Sequence, residues 1–271
     1  IGGVPYYLRL FDDNRSLRMN IRTAILDTGA PLQDEVEFLL RQELREPRIY
    51  FGILAAIAAG KRKLSEILNA TGLSGPTVNK YLSVLQGLGL VVREVPATER
   101  QPEKSRKGLY GIADPFVRFW FRFVLPQRAL LETGRSAEAA RRVDSKLDSF
   151  AASAYEAICC HEVNHGLLDE TTRRRWERAG RWWTRNAEID LIAQTEDCTS
   201  VLFGEAKWSR RPVGTNVLRD LQEASLLVDL PPGATRRHFA LFSRSGFTDA
   251  IKRETADRGD LHLVDGLDVV N

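Results

Sequence analysis

Apolar residues recur at helical spacing around Leu8–Phe11 and through Ser16–Asp27 and Leu32–Leu44, after a turn-like Gly2-Gly3-Val4-Pro5 start. Pro47 is expected to close this helical lead-in, residues 1–47. Over 48–114 the pattern predicts a helix at Ile49–Ala59, a second at Glu66–Thr71 capped by Ser65 and stopped by Gly72, and a third at Gly75–Gly87 capped by Ser74. Val78, Tyr81, Leu82 and Leu85 share one face of the third. Strand-like Leu90–Val95 and Leu109–Ile112 flank a polar loop, Pro96–Lys107. Two short helices joined by a three-residue turn and followed by a hairpin are the pattern of a winged helix-turn-helix.

Asp114-Pro115 breaks the second strand, and residues 115–147 read as a helical connector made of Phe116–Leu125 and a charged helix to about Leu147. From 148 to 271 the pattern changes. A helix at Phe150–Leu168 precedes strands at Gly180–Thr184, Ile189–Thr195 and Ser200–Lys207. A helix at Asn216–Val228, a strand at His238–Ser243, a helix at Thr248–Arg258 and a strand at Leu261–Val264 complete it. The fold class is therefore α/β and multidomain, with an α-β-β-β-α-β-α-β domain of ordinary size last.

Composition narrows the setting. The 271 residues are 43% hydrophobic and 28% charged, which excludes wholesale disorder, and no apolar run approaches the roughly 20 residues of a membrane span. Three cysteines, Cys159, Cys160 and Cys198, make no disulfide framework, so a reducing cytoplasm is the expected home. The chain opens on Ile1 with its single methionine at Met19, and we read it as the trailing part of a longer polypeptide. A net charge of +3 does not by itself argue for nucleic acid; local clusters must.

The chemistry concentrates in Glu188-Ile189-Asp190 and Val201-Leu202-Phe203-Gly204-Glu205-Ala206-Lys207-Trp208. Strand alternation puts Glu205 and Lys207 on one face. If Asp190 lies opposite Glu205, the hairpin turns between Asp197 and Cys198, inside the polar stretch Thr195–Ser200 where a turn is wanted independently. Opposed residues sit about 5 Å apart on the same side, so Asp190, Glu205 and Lys207 converge. Two carboxylates beside an ammonium suit Mg²⁺ (or Mn²⁺), held by Asp190 and Glu205 with the Ala206 carbonyl as a further ligand, and Lys207 can activate water or neutralise charge on phosphate. An acid-x-Lys triplet alone is weak, since roughly one is due by chance and Asp144-Ser145-Lys146 is another. An ordinary surface ion-pair cluster explains the same three residues.

The span from Tyr155-Glu156 through Trp182-Trp183, Glu188-Ile189-Asp190 and Phe203-Gly204-Glu205-Ala206-Lys207-Trp208-Ser209 resembles the PD-(D/E)XK, restriction-endonuclease-like nuclease fold. It is similar, more closely, to the C-terminal domain of the archaeal-type ATPases, the DUF234 group. Gly2-Gly3-Val4-Pro5-Tyr6-Tyr7-Leu8 resembles the end of that group's ATPase region, and Ile112-Ala113-Asp114-Pro115-Phe116-Val117-Arg118-Phe119-Trp120 its middle, so the likeness covers nearly the whole chain. It implies a metal-dependent DNA endonuclease with Glu156, Asp190, Glu205 and Lys207 as its site, and an ATPase domain as partner. Ile189 stands where the motif's proline would be. No G-x-x-x-x-G-K-[ST] occurs, so ATP hydrolysis is not expected of this chain. The alternative is a DNA- or protein-binding module that does not cut.

His161-Glu162-Val163-Asn164-His165 is a literal H-E-x-x-H, and gives a remote zinc-peptidase reading beside the plainer one of two histidines one helical turn apart. Arg173-Arg174-Arg175, Arg178, Arg181 and Arg185 precede the acidic motif and Arg210 and Arg211 follow it. With Trp182, Trp183 and Trp208 they can cradle a phosphate backbone, or equally form a solvated loop over core tryptophans. On the winged helix, Thr77, Asn79 and Lys80 of the third helix and Lys104, Arg106 and Lys107 of the wing are the candidate DNA contacts, phosphate rather than base readers. Docking onto protein is the competing use of that surface, and oligomerisation is left open.

Overall fold

In the computed structural model, which describes residues 2–44, 46–230 and 232–266, Pro47 opens a helix instead of closing one. A proline at the first helical position loses nothing by lacking an N–H. The chain divides into two compact units, residues 1–94 with 108–147 and residues 95–107 with 148–271.

The first unit begins with α1 (Pro5–Arg9), α2 (Leu17–Ile21), which runs on into a π-helical turn at Arg22–Leu26, and α3 (Glu35–Glu43). Then come α4 (Pro47–Ala58), α5 (Leu64–Thr71) and α6 (Gly75–Gly87). The cap of α5 is not Ser65. The Glu66 carboxylate accepts the N–H groups of Arg62 and Lys63, 3.0 Å each, and so satisfies two orphan donors ahead of the helix. Gly72 ends α5 at φ +69°, in the left-handed region. Val78, Tyr81, Leu82 and Leu85 of α6 are buried, as their spacing predicts. Strands β1 (Val91–Glu94) and β2 (Leu109–Ile112) pair antiparallel, Val91 opposite Ile112.

The stretch read as a connector is core instead. After α7 (Pro115–Phe119), a π-helical turn at Trp120–Val124 leads to α8 (Arg128–Glu132). Phe116, Val117, Phe119, Trp120, Phe121, Phe123 and Val124 are all buried, and the Trp120 indole N–H donates to the Gln33 carbonyl at 2.7 Å. Arg122 is the one exposed residue of the π turn and marks its solvent edge, whereas Arg118 is half-buried.

Next, α9 (Ser136–Asn164) is a single helix of 29 residues with no break near Phe150; the division between units falls within it. Its sequence contains no glycine or proline to stop it.

In the second unit, α10 (Asp169–Thr172), β3 (Glu177–Trp183), β4 (Glu188–Gln194), β5 (Ser200–Lys207), α11 (Thr215–Ser225), β6 (Arg236–Ser243), α12 (Asp249–Ala256) and β7 (Leu261–Asp265) follow. The five strands form one sheet in the order β3-β4-β5-β6-β7, antiparallel through β5 and parallel beyond it. Tyr155, Cys159 and Val163 of α9 pack with Leu191, Leu202, Ala206 and Phe242 in one core. Leu218 and Leu221 of α11 and Ile251 of α12 pack with Ile189, Val201, Phe203 and Leu241 in the other. Strands covered on both faces read as unbroken apolar runs, as Val201–Phe203 and Phe239–Phe242 do. Residues 95–107, the loop read as a wing, group with this unit, where Ala97 N–H donates to the Arg181 carbonyl of β3 at 2.8 Å.

Two predictions follow from this packing. A Cβ on Gly204 would lie 3.1 Å from Leu191 Cβ and 3.2 Å from Phe242 Cε2, both in the core. Gly204→Ala should therefore cost about 1–3 kcal/mol by overpacking, read from the urea midpoint. His238 and His262 stack in the sheet, ring centroids 5.8 Å apart, with His238 edge-on to Trp176. Burial, reinforced by Arg174, pulls His238 from 6.5 down to about 4, and burial also lowers His262. Between those values the unfolded chain holds the proton and the folded chain does not, so stability is full above pH 6.5 and falls as pH drops toward 4. Denaturation midpoints at pH 7.5 and 4.5 should show that loss, and His238→Gln should shrink it.

Candidate functional site

The hairpin register is the one the polar turn implies. Leu191 pairs with Gly204 and Gln194 with Val201, and Cys198 turns the chain at φ +55°. Continued by one residue, that register sets Asp190 against Glu205. The ladder stops short of that pair, because the Asp190 carboxylate takes the place of a backbone partner: Ala206 N–H donates to Asp190 Oδ2 at 3.0 Å. On its other side β5 stays paired with β6, and Lys207 O accepts from Arg244 N–H. Backbone groups alternate along a strand, so the Ala206 carbonyl faces the same side as its N–H, toward Asp190.

Asp190, Glu205 and Lys207 come together in this way. The Lys207 ammonium hydrogen-bonds Glu205 Oε1 directly. Glu156 reaches the group from α9, within electrostatic range of Asp190, Arg181, Glu188 and Glu205. Burial drives the Glu156 carboxyl up to about 7; Asp190 and Glu205 add to this and Arg181 opposes it. Burial likewise raises Asp190, against the pull of the Ala206 N–H, Lys207 and Arg181. It raises Glu205 too, aided by Asp190 and resisted by Lys207. For Lys207 burial acts downward, but the bond to Glu205 and the charges of Glu205, Asp190 and Glu156 outweigh it, leaving the ammonium above its ordinary range.

Sequence reasoning missed two members. Glu188, two residues before Asp190 on β4, contributes to the field on Glu156, Asp190 and Glu205 and pairs with Arg181 at 3.5 Å. The spacing of Glu188 and Asp190 was the available signal. Arg244 lies over the Trp208 ring at 4.2 Å, next to Lys207, and no motif announces it.

The remaining candidates scatter. Arg181 faces the carboxylates, and so is a counter-charge as much as a DNA contact. Arg185 and Arg211 are exposed, and Arg210 lies 3.4 Å from Asp148. In the first unit Asn79 and Lys80 are exposed, while Thr77 is half-buried with its hydroxyl 2.8 Å from that of Ser74. In the loop of the second unit Lys104 and Arg106 are exposed, and Lys107 pairs with Glu99 at 2.7 Å. Trp182 is core, and Arg173–Arg175 lie at the far end of the sheet.

Of the two readings of H-E-x-x-H, the geometry fits the plainer one, two histidines one helical turn apart. His165 lies just past the last residue of α9; its Nδ1 is 2.7 Å from the His161 carbonyl, and the two rings lie 4.0 Å apart. The motif is a helix end. Among the described residues no group of three or more His, Cys, Asp and Glu side chains is placed to hold a metal ion. A magnesium site at Asp190 and Glu205 would therefore rest on two carboxylates and a backbone carbonyl, with water completing it, which is within the usual habit of that ion. No helix among the described residues is long and apolar enough to cross a membrane.

Known families match two parts of the chain. Residues 47–101 match the MarR family, a DNA-binding winged-helix type, and residues 120–220 match DUF234, archaeal and bacterial proteins of unknown function. The chain is 30% identical over 266 residues to the uncharacterized protein MJECL04 of Methanocaldococcus jannaschii; the match covers 97% of this chain but 57% of that one. The O-methyltransferase NcsB1 from neocarzinostatin biosynthesis, with S-adenosyl-L-homocysteine and 1,4-dihydroxy-2-naphthoic acid bound, aligns over 85% of this chain and 64% of its own. At 14% identity and a TM-score of 0.20 that alignment carries no argument. The chain thus joins a MarR-like winged helix to a DUF234 region in a mixed α/β protein.

Proposed function

We propose that the second unit is a PD-(D/E)XK-type module that hydrolyses DNA phosphodiester bonds with Mg²⁺ or Mn²⁺, as part of a longer, ATPase-linked protein. The observation that carries the reading is the fork at Asp190. An antiparallel pair gives up a rung so that a buried carboxylate, a half-buried one, a backbone carbonyl and a lysine face one place. Buried acids in such excess are costly without a cation, and their raised affinity for protons is the sign of that cost.

Each residue has a role in this reading. Asp190 and Glu205 hold the metal, which when bound supplies a nucleophilic water near neutral pH and polarises the phosphate. Glu156 accepts or orients a proton beside it. Lys207, once released from Glu205, faces the charge that develops on phosphate oxygen. Trp208 N–H is buried with no partner among the described residues, next to Lys207, and a substrate oxygen can serve as its acceptor. The MarR-like winged helix favours DNA as the polymer, in the same chain.

Incubating supercoiled plasmid with Mg²⁺ or Mn²⁺ should give nicked or linear product, at least 100-fold slower with Asp190→Asn or Lys207→Ala. Equal cleavage by all three proteins would expose a contaminant. No cleavage together with salt-sensitive binding would leave a module that holds DNA without cutting it. A second expectation concerns protons. A cation beside Glu156 binds better once that carboxyl, which keeps its proton up to about 7, is ionised, so Mn²⁺ affinity should climb between pH 6 and 8 and level off above. Titration calorimetry at those pH values should show the climb, and Glu156→Gln should flatten it.

A further inference from the structure

At the other end of β5 from Glu205 and Lys207, the second unit has a cavity of about 860 Å³. Thr199 and Arg236 border it where β5 and β6 begin, six residues of β5 from Glu205, or about 20 Å of strand. Arg173, Arg174 and Arg175 line it from the segment after α10. We propose that this arginine-lined basin is a second DNA contact, which holds the phosphate backbone of a duplex apart from the carboxylate site.

Three observations point that way. The first is unpaired charge. Arg175 lies 3.7 Å from Glu177, but among the described residues Arg173, Arg174 and Arg236 have no carboxylate within ion-pair distance. Two acids, Glu196 and Asp197, also line the cavity against its four arginines, and the Asp197 carboxylate is occupied by the Thr195 hydroxyl at 2.6 Å and by the N–H and hydroxyl of Thr199 at 3.0 Å each. The second is the lining. No aliphatic or aromatic side chain borders the cavity, whereas small-molecule pockets are predominantly apolar. A volume many times that of one phosphate, walled by four guanidinium forks and three hydroxyls against two carboxylates, fits a run of phosphates. The third is backbone conformation. Arg173 sits at φ +52°, in the left-handed region, where glycine would be easier.

The proposal does not require cleavage and is tested without metal. In EDTA, the anisotropy of a labelled 20-base-pair duplex should be followed against salt for the full chain. The comparison is with an Arg173→Gln, Arg174→Gln, Arg236→Gln variant and with Arg9→Gln, Arg141→Gln, Arg219→Gln, which loses the same charge from exposed sites elsewhere. Three lost phosphate contacts should weaken binding at least 10-fold and reduce the slope of log K against log salt by about 2–3 in the basin variant only. Matched behaviour of the two variants would overturn the assignment. So would displacement of the duplex by inorganic phosphate at constant ionic strength, which would mark a small-oxyanion site. Loss of binding to a labelled polyglutamate probe with the duplex unaffected would mark an acidic protein surface and would overturn it too. In the unsubstituted chain, the duplex should shield Arg173, Arg174 and Arg236 from phenylglyoxal in mass spectra; unshielded arginines would overturn the proposal whatever the variants do.

Discussion

One hydrogen bond decides the shape of the acidic site. When Asp190 Oδ2 takes the Ala206 N–H, a side chain replaces a rung of the ladder between β4 and β5. A buried amide left unpaired would cost roughly 1–3 kcal/mol, so the carboxylate satisfies the backbone while it opens it. Gly204 makes the approach feasible. Its missing Cβ is the space occupied by Leu191 and Phe242, and any larger residue just before Glu205 would press on the point where the strands part.

The fork has an electrostatic consequence. Asp190 is 7% exposed, with Glu205 and Glu156 beside it, and burial is the leading cause of the upward shift in all three acids. Lys207 and Arg181 compensate in part, but Lys207 is bonded to Glu205 and Arg181 is shared with Glu188. The group therefore keeps more acid than base on a scaffold that is otherwise apolar. A fold selected for stability alone would put hydrophobic residues there; an arrangement that holds like charges together fits a cationic ligand.

Much of this was legible in the sequence, and for a physical reason. Setting Asp190 opposite Glu205 puts the turn inside the polar run Thr195–Ser200, and because strand pairing has a period of two that one choice fixes the register found from Leu191–Gly204 to Gln194–Val201. The amphipathic face of α6 was legible on the same terms. The failures share a different cause. Phe116–Val124 looked like a connector because its arginines break the apolar run, yet a π turn buries the aromatics and leaves Arg122 outside. The supposed helix start at Phe150 was a composition change inside one uninterrupted helix. His161 and His165 matched a metal motif in one dimension, but the helix stops before the second histidine. The arginine run at 173–175 is near the acidic motif in sequence, but the length of β3 lies between it and Asp190, so the two fall at opposite ends of the sheet.

That separation has a physical logic. Arg173, Arg174 and Arg236, which have no carboxylate within ion-pair distance among the described residues, would neutralise the acids if they shared a pocket with them, and a site meant to attract a cation would lose its field. Placing the guanidinium groups about 20 Å away along β5, beyond the Debye length of about 8 Å at physiological ionic strength, lets each end keep its own sign. Near the acids the protein keeps Arg181, held by Glu188, and Lys207, whose compact ammonium can exchange Glu205 for another anion. At the far end it uses guanidinium, which keeps its charge and offers paired donors to phosphate oxygens. A duplex lying along this strand would meet donors that position it at one end and acids that can hold a cation against it at the other, so β5 acts as both the spacer and the support of the two sites.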